Sequence, residues 1–257
     1  MLIKGLQKTT LLDYPGHVAA TIFLGGCNFR CPFCHNMNIV ESEENGKADV
    51  NTDKNEYTEE DIISFLTKRL GVLEGVCITG GEPTIYKELP EFIRKIKNIP
   101  ALKENETELL IKLDTNGTNP EMLKLLFSEN LIDYVAMDIK SSQTGYGQAI
   151  GLSDQEETEF VELNKIMDSV KESIDVIMNS GIEYEFRTTI VKQLHDEECI
   201  HGIGNLIKGA KKHYLQSFID SEYVKDHTLN AVSEEELKKY EAIMKEYVGE
   251  AYIRGVD

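Results

Sequence analysis

Hydrophobic and polar positions along this chain alternate between two periods. Continuous, β-branched runs predict strands at "HVAATIFL" (17–24), "GVCITG" (75–80), "ELLIKLD" (108–114), "DYVAMDI" (133–139), "IEYEFRTTI" (182–190) and "HYLQSFI" (213–219). Between them, apolar spacings of three and four predict amphipathic helices at "EEDIISFLTKRL", "LPEFIRKIKNI", "PEMLKLLFSEN", a long stretch near 156–180, and "EECIHGIGNLIKGA". Strands that are apolar throughout and separated by helices imply a parallel sheet buried on both faces. The six repeats found here fall short of the eight that close a complete barrel. The expected fold class is therefore α/β: a partial (β/α)6 TIM-like barrel, with parallel strands and outer helices.

Two stretches depart from that rhythm. "ESEENGKADVNTDKNEYTEE" (41–60) is acidic and poor in apolar residues, and predicts a loop. "SEEELKKYEAIMKEYVG" opens with Ser233 as a cap and an acidic first turn, so a helical extension is expected over about 232–257. With no linker and no internal repeat, residues 1–257 are expected to form a single domain.

Composition narrows the classes. The chain has 257 residues, 41% hydrophobic and 28% charged, an ordinary balance for a soluble globular protein. A formal net charge of −18 counts against a nucleic-acid partner, because phosphate contacts need clustered Lys and Arg. No apolar stretch reaches the length of a membrane span. "VAATIFLGGC" resembles the end of a lipoprotein signal, but Asp13, Pro15 and His17 interrupt its core. A cytoplasmic location is expected, where thiols stay reduced and clustered cysteines bind metal more often than they pair.

Chemistry gathers at the strand ends. The first four predicted strands end in "GGCNFRC", "TGGEPT" (79–84), "DTNGT" (114–118) and "DIKS" (138–141). Taken singly, each is an ordinary loop, since Gly, Asp and Asn are common there. Together they would share the crevice at the carboxyl ends of parallel strands, where ligands bind. Within "GGCNFRCPFCHN" the thiols of Cys27, Cys31 and Cys34 follow a C-x3-C-x2-C spacing. A structural zinc site closes with four ligands, and His35, directly after Cys34, is poorly placed to be the fourth. "CPFCH" matches c-type haem attachment but leaves Cys27 unused. Ordinary ferredoxin clusters take a fourth cysteine. Cys77, in a predicted strand, and Cys199, on a predicted helix, read as core residues. Three thiolates on a [4Fe–4S] cluster, with one iron left open, remain as the reading that uses the missing ligand.

The triplet, with Phe33 before its last cysteine, resembles the signature of radical S-adenosylmethionine enzymes, and "GGEP", "DTNG" and "DIK" follow in that family's order. "GLQKTTLLDYPG" (5–16) leading into the triplet is similar to activating proteins of glycyl-radical enzymes, in particular the type that activates anaerobic ribonucleoside-triphosphate reductase. The resemblance implies a [4Fe–4S] cluster on Cys27, Cys31 and Cys34 and reductive cleavage of S-adenosyl-L-methionine to a 5′-deoxyadenosyl radical. That radical would abstract hydrogen from a glycine of a partner glycyl-radical enzyme. The electron would come from an external reductant such as flavodoxin or ferredoxin.

The same resemblance assigns site residues. Gly80 and Gly81 would admit the cofactor's amino group, Glu82 would accept from it, and Lys140 would pair with its carboxylate. Phe33 would pack on the adenine. By likeness to the pyruvate formate-lyase activating branch, Asp114, Thr115, Asp138 and the carbonyl of Ala136 would hold a monovalent cation. Arg187, inside a strand, either pairs with a buried carboxylate or reaches the cofactor. Gln216 stands where that branch carries a histidine near the ribose. His195 and His201 receive no role. Two other functions compete: a radical enzyme acting on a small metabolite or peptide, and a non-catalytic iron–sulfur electron carrier.

Overall fold

The computed structural model describes residues 1–40, 57–100, 108–152 and 157–256, which form two compact units. The first comprises residues 1–28, 38–115 and 121–135, and the second residues 29–37, 116–120 and 136 onward. Most of the acidic stretch expected as a loop lies outside the described residues. Its last residues do not form a loop: Thr58 caps a helix that starts at Glu59.

In the first unit, β1 (Ile3–Thr10) runs antiparallel to β2 (Ala19–Leu24). A short turn, α1 (Met37–Val40), and helix α2 (Glu59–Thr67) precede β3 (Gly75–Gly80). Helix α3 (Leu89–Lys97), β4 (Leu110–Thr115), nearly all of α4 (Pro120–Ser128) and the first two residues of β5 (Tyr134–Asp138) follow, the rest of β5 belonging to the second unit. β2, β3 and β4 are parallel and adjacent, in chain order. Their centres are buried, as the unbroken apolar runs predicted. Helix α3 buries Leu89, Phe92, Ile93 and Ile96, the stripe at spacings of three and four. Each such side chain contributes roughly 1.5–3 kcal/mol of transfer free energy. Helix α2 opens with a capping box, the Thr58 hydroxyl accepting from Asp61 N at 3.1 Å while the Asp61 carboxylate accepts from Thr58 N at 3.0 Å.

In the second unit, α5 (Tyr146–Ile150) and the long α6 (Glu157–Met178) lead to β6 (Glu183–Ile190). Helix α7 (Glu197–Leu206), β7 (Lys212–Ser217), α8 (Glu234–Met244) and β8 (Glu250–Arg254) complete it. β6, β7 and β8 are parallel neighbours, again in chain order. Ser233 caps α8 as expected, but the helical extension gives way to β8, a strand that the sequence pattern does not announce. The α/β alternation holds in both units, and the six predicted strands are β2 to β7. Among the described residues no helix is long and apolar enough to cross a membrane.

Candidate active site

In the first unit the chemistry begins where β2 and β3 end. Their parallel register sets Leu24 beside Gly80, so the cysteine loop and the Gly-Gly-Glu turn leave the sheet at one level. The two backbones then lock together. Gly81 N donates to Leu24 O at 2.8 Å, Glu82 N to Gly26 O at 3.0 Å, and the Tyr86 hydroxyl to Gly25 O at 2.8 Å. A Cβ on Gly81 would lie 1.7 Å from Gly26 O, and Gly80 has φ +120°, a conformation that favours glycine. Both glycines are thus required by the neighbouring chain that leads to Cys27.

Glu82 is only 1% exposed. One of its oxygens, Oε1, accepts from Thr84 N at 3.1 Å, Thr84 Oγ1 at 2.6 Å and Thr115 Oγ1 at 2.7 Å. The carboxylate therefore caps the turn over Pro83–Ile85 and ties down the end of β4. Its neighbour on β4, Asp114, points to the other face, where Oδ2 accepts from Thr79 Oγ1 at 3.1 Å and Oδ1 pairs with the Lys112 ammonium. Lys112 is 2% exposed and also lies 3.7 Å from Cys77 Sγ. Sequence reasoning passed over Lys112, although the Lys-x-Asp spacing sets both charges on one face of a strand.

In the second unit the other two cysteines of the triplet sit on a braced loop. Arg30 N donates to Ile150 O at 3.0 Å, Asp226 N to Pro32 O at 3.2 Å, and Cys34 N to Cys31 O at 3.1 Å. Asn36 N approaches Cys34 Sγ at 3.4 Å, a backbone donor aimed at the sulfur. Phe33 is 4% exposed, with its ring edge-on to His195 at 6.4 Å between centroids. His195 has work after all. Its Nε2 donates to Lys140 O at 2.9 Å, and its Nδ1 accepts from Val191 N at 3.0 Å. Burial lowers its pKa against those bonds, so the neutral ring holds the main chain at Lys140 in place.

Asp138, Lys140 and Arg187 form the charged centre of this unit. Arg187 Nε donates to Asp138 Oδ1 at 2.8 Å and Lys140 Nζ to Oδ2 at 3.0 Å, so Arg187 has the carboxylate partner that one of its two expected roles required. Burial alone would raise the Asp138 pKa, but the charges of Arg187 and Lys140 outweigh it and hold the group at about 2. Burial likewise works against charge on Lys140, yet Asp138 and then Cys31 keep it above its ordinary value. Two cations against one carboxylate leave the trio with a surplus positive charge. The Tyr146 hydroxyl, which feels Lys140, Cys31 and Asp138, is fully buried and, among the described residues, makes no hydrogen bond of ordinary geometry, the Lys140 backbone being a weak neighbour. No sequence signal marks it.

At the carboxyl ends of β6, β7 and β8 the second unit has a pocket of about 250 Å³, lined by His35, Thr189, Gln216, Ser217, Ile219 and Arg254. Parallel register lines up Thr189, Gln216 and Arg254 as a row across the three strands. Arg254 is clamped by Glu185, at 2.8 and 3.0 Å, and stacks over the Tyr214 ring at 3.4 Å. Burial, then Lys140, lowers the His35 pKa and favours the neutral ring. All five cysteines are free, and Cys77 and Cys199 are buried in their respective units, as expected of core residues. Among the described residues no three His, Cys, Asp or Glu side chains gather as ligands of a single ion.

The donor chemistry fits an iron–sulfur cluster: three reduced, soft thiols on a short loop, one of them already receiving a backbone N–H. The Radical SAM superfamily profile matches residues 21–207. A Methanocaldococcus jannaschii protein provisionally named a glycyl-radical enzyme activating enzyme is 31% identical over 265 residues, covering 100% of this chain and 97% of the relative. A GTP 3′,8-cyclase of Helicobacter pylori is 28% identical over 199 residues, covering 74% of this chain but only 50% of the cyclase. Among solved structures, Streptococcus suis SuiB gives a TM-score of 0.60 at 11% identity, covering 91% of this chain and 48% of SuiB. The anSMEcpe protein with bound AdoMet and Cp18Cys peptide gives 0.57 at 16% identity, covering 91% of this chain and 62% of that one. Both structural likenesses show the fold, the partial (β/α)6 barrel class expected from the repeats. This chain belongs to the radical SAM superfamily.

Proposed function

We propose that this chain, acting as one domain, is an activase that generates a glycyl radical on a partner enzyme. The observation that carries the proposal is the full-length likeness to a relative bearing that name, in a chain that retains all three cysteines of the triplet. Cys27, Cys31 and Cys34 would hold a [4Fe–4S] cluster. When bound, the reduced cluster supplies the single electron that splits S-adenosylmethionine into methionine and a 5′-deoxyadenosyl radical, which takes a hydrogen atom from the partner's glycine Cα. The residues of the chain position and neutralise. Lys140, from a trio with surplus positive charge, would hold the cofactor's carboxylate, and Arg187 keeps Asp138 from cancelling that charge. Glu82, fixed by Thr84 and Thr115, would offer its carboxylate to the cofactor's amino group. Gln216 and Thr189 would present polar groups to the ribose from the pocket on β6 and β7.

Anaerobic reconstitution followed by dithionite and S-adenosylmethionine is expected to yield 5′-deoxyadenosine and methionine, and Cys31→Ala is expected to abolish both products. Incubation with a candidate glycyl-radical enzyme is then expected to give its organic radical signal by electron paramagnetic resonance. Deoxyadenosine formation that couples only to a small substrate would transfer the assignment to a metabolite-modifying enzyme. Cleavage retained by Cys31→Ala would remove the cluster from the argument.

A further inference from the structure

The cation site implied by resemblance asks for two carboxylates, Asp114 and Asp138, with negative charge to spare. Neither has it. In the first unit the Lys112 ammonium pairs with Asp114 Oδ1, and the Thr79 hydroxyl donates to Oδ2 at 3.1 Å. The nearby Thr115 hydroxyl donates to Glu82 at 2.7 Å. In the second unit both Asp138 oxygens are bonded to cations, Arg187 at 2.8 Å and Lys140 at 3.0 Å. A free monovalent ion draws its affinity from uncompensated oxygen charge. Beside Asp114 it would meet an ammonium, and beside Asp138 a trio that is already net positive. The donor set does not fit the ion.

We infer that Lys112 is a built-in substitute for a monovalent cation at Asp114, and that this enzyme works without sodium or potassium. Lys112 is a positioning residue. Its ammonium carries the same unit charge that a bound ion would, is buried, and is delivered by the strand that delivers Asp114, so the pair forms as β4 folds. The inference rests on the proposed function only for what the pair positions; whether an ion binds can be read without any cofactor.

Equilibrium dialysis of the cluster-reconstituted protein against rubidium chloride, with bound metal counted by mass spectrometry, is the direct test. Retention below a tenth of an equivalent is expected, and one stoichiometric ion per chain would overturn the inference. S-adenosylmethionine affinity measured in choline, sodium and potassium chloride at equal ionic strength is expected to vary less than twofold. A tenfold loss in choline alone would also overturn it. Lys112→Met is expected to acquire what the native protein lacks, a tenfold gain in affinity when potassium replaces choline. If that variant does not fold, the dialysis of the unaltered protein still decides. If S-adenosylmethionine binds in no salt at all, the functional proposal fails while the rubidium count stands.

Discussion

Gly81 in the first unit and Asp138 in the second are held in place by different physics. Around Gly81 in the first unit, backbone meets backbone: neutral hydrogen bonds of 2.8–3.0 Å join two loops, with no room for a Cβ between them. Around Asp138 in the second, opposite charges meet through flexible side chains, and one positive charge is left over. The first arrangement fixes position and tolerates no change in volume. The second fixes charge and tolerates some change in shape. Substitutions in the first should therefore cost fold and cluster retention, and those in the second should cost ligand affinity.

Gly81→Ala is the sharpest way to break that contrast. Its Cβ would overlap the Gly26 carbonyl, and backbone overpacking of this kind costs about 3 kcal/mol or more. A lower melting temperature and poor iron retention after reconstitution are expected, and near-native values would show that the loops are not locked. Lys140→Met should come next. Removing a charged hydrogen-bond donor is expected to weaken S-adenosylmethionine binding roughly 10- to 100-fold, with a smaller drop in melting temperature than Gly81→Ala. Equal thermal losses in the two variants would erase the distinction.

A third effect is confined to the second unit. His213 is completely buried, and burial pushes its pKa down to about 3. Unfolding releases a ring of ordinary pKa, so between about pH 6.5 and 3 the unfolded chain binds a proton that the folded chain refuses. Stability is therefore full above pH 6.5 and declines as the pH falls. At about 1.4 kcal/mol per unit, this one ring accounts for about 2 kcal/mol of loss between neutrality and pH 5. Urea titrations should show that loss and should show it reduced in His213→Leu. A pH-independent midpoint over this range would contradict the burial. Tyr146→Phe should have the smallest effect. Deleting a buried hydroxyl that makes no hydrogen bond of ordinary geometry among the described residues is expected to leave the cluster-free protein as stable as before, or up to about 1 kcal/mol more stable. Destabilisation beyond 2 kcal/mol would reveal a bond partner for the hydroxyl.

Strands β2, β3 and β5 were legible because burial on both faces writes an apolar run into the sequence, whereas β6 and β7 showed only as β-branched and aromatic residues among half-buried polar ones. β1 and β8 were not. Each has several half-exposed or exposed residues, as "IKGLQKTT" and "EAYIR" show, and their apolar signal is diluted to the level of a loop. The three cysteines were legible because their spacing is covalent. The packing of Gly81 against Gly26 was not legible, since a backbone contact between distant loops has no local signature. Lys112 was missed because a lysine is ordinarily read as solvated, whereas here the neighbouring Asp114 offsets the cost of its burial. The task of His195 was invisible for a related reason: its acceptor is a main-chain carbonyl, which any residue type at position 140 would supply.

The lock between Gly26 and Gly81 also orders events during biosynthesis. The first thiol is encoded early, and its loop is held partly by Leu2 and Ile39, but the bonds from Gly81 N to Leu24 and from Glu82 N to Gly26 exist only once the chain has been made through Glu82. A nascent chain that stops short of Glu82 therefore carries its first thiol on a loop missing half of its backbone anchors, and one that stops short of Asp226 lacks the bond that braces Pro32 between the other two.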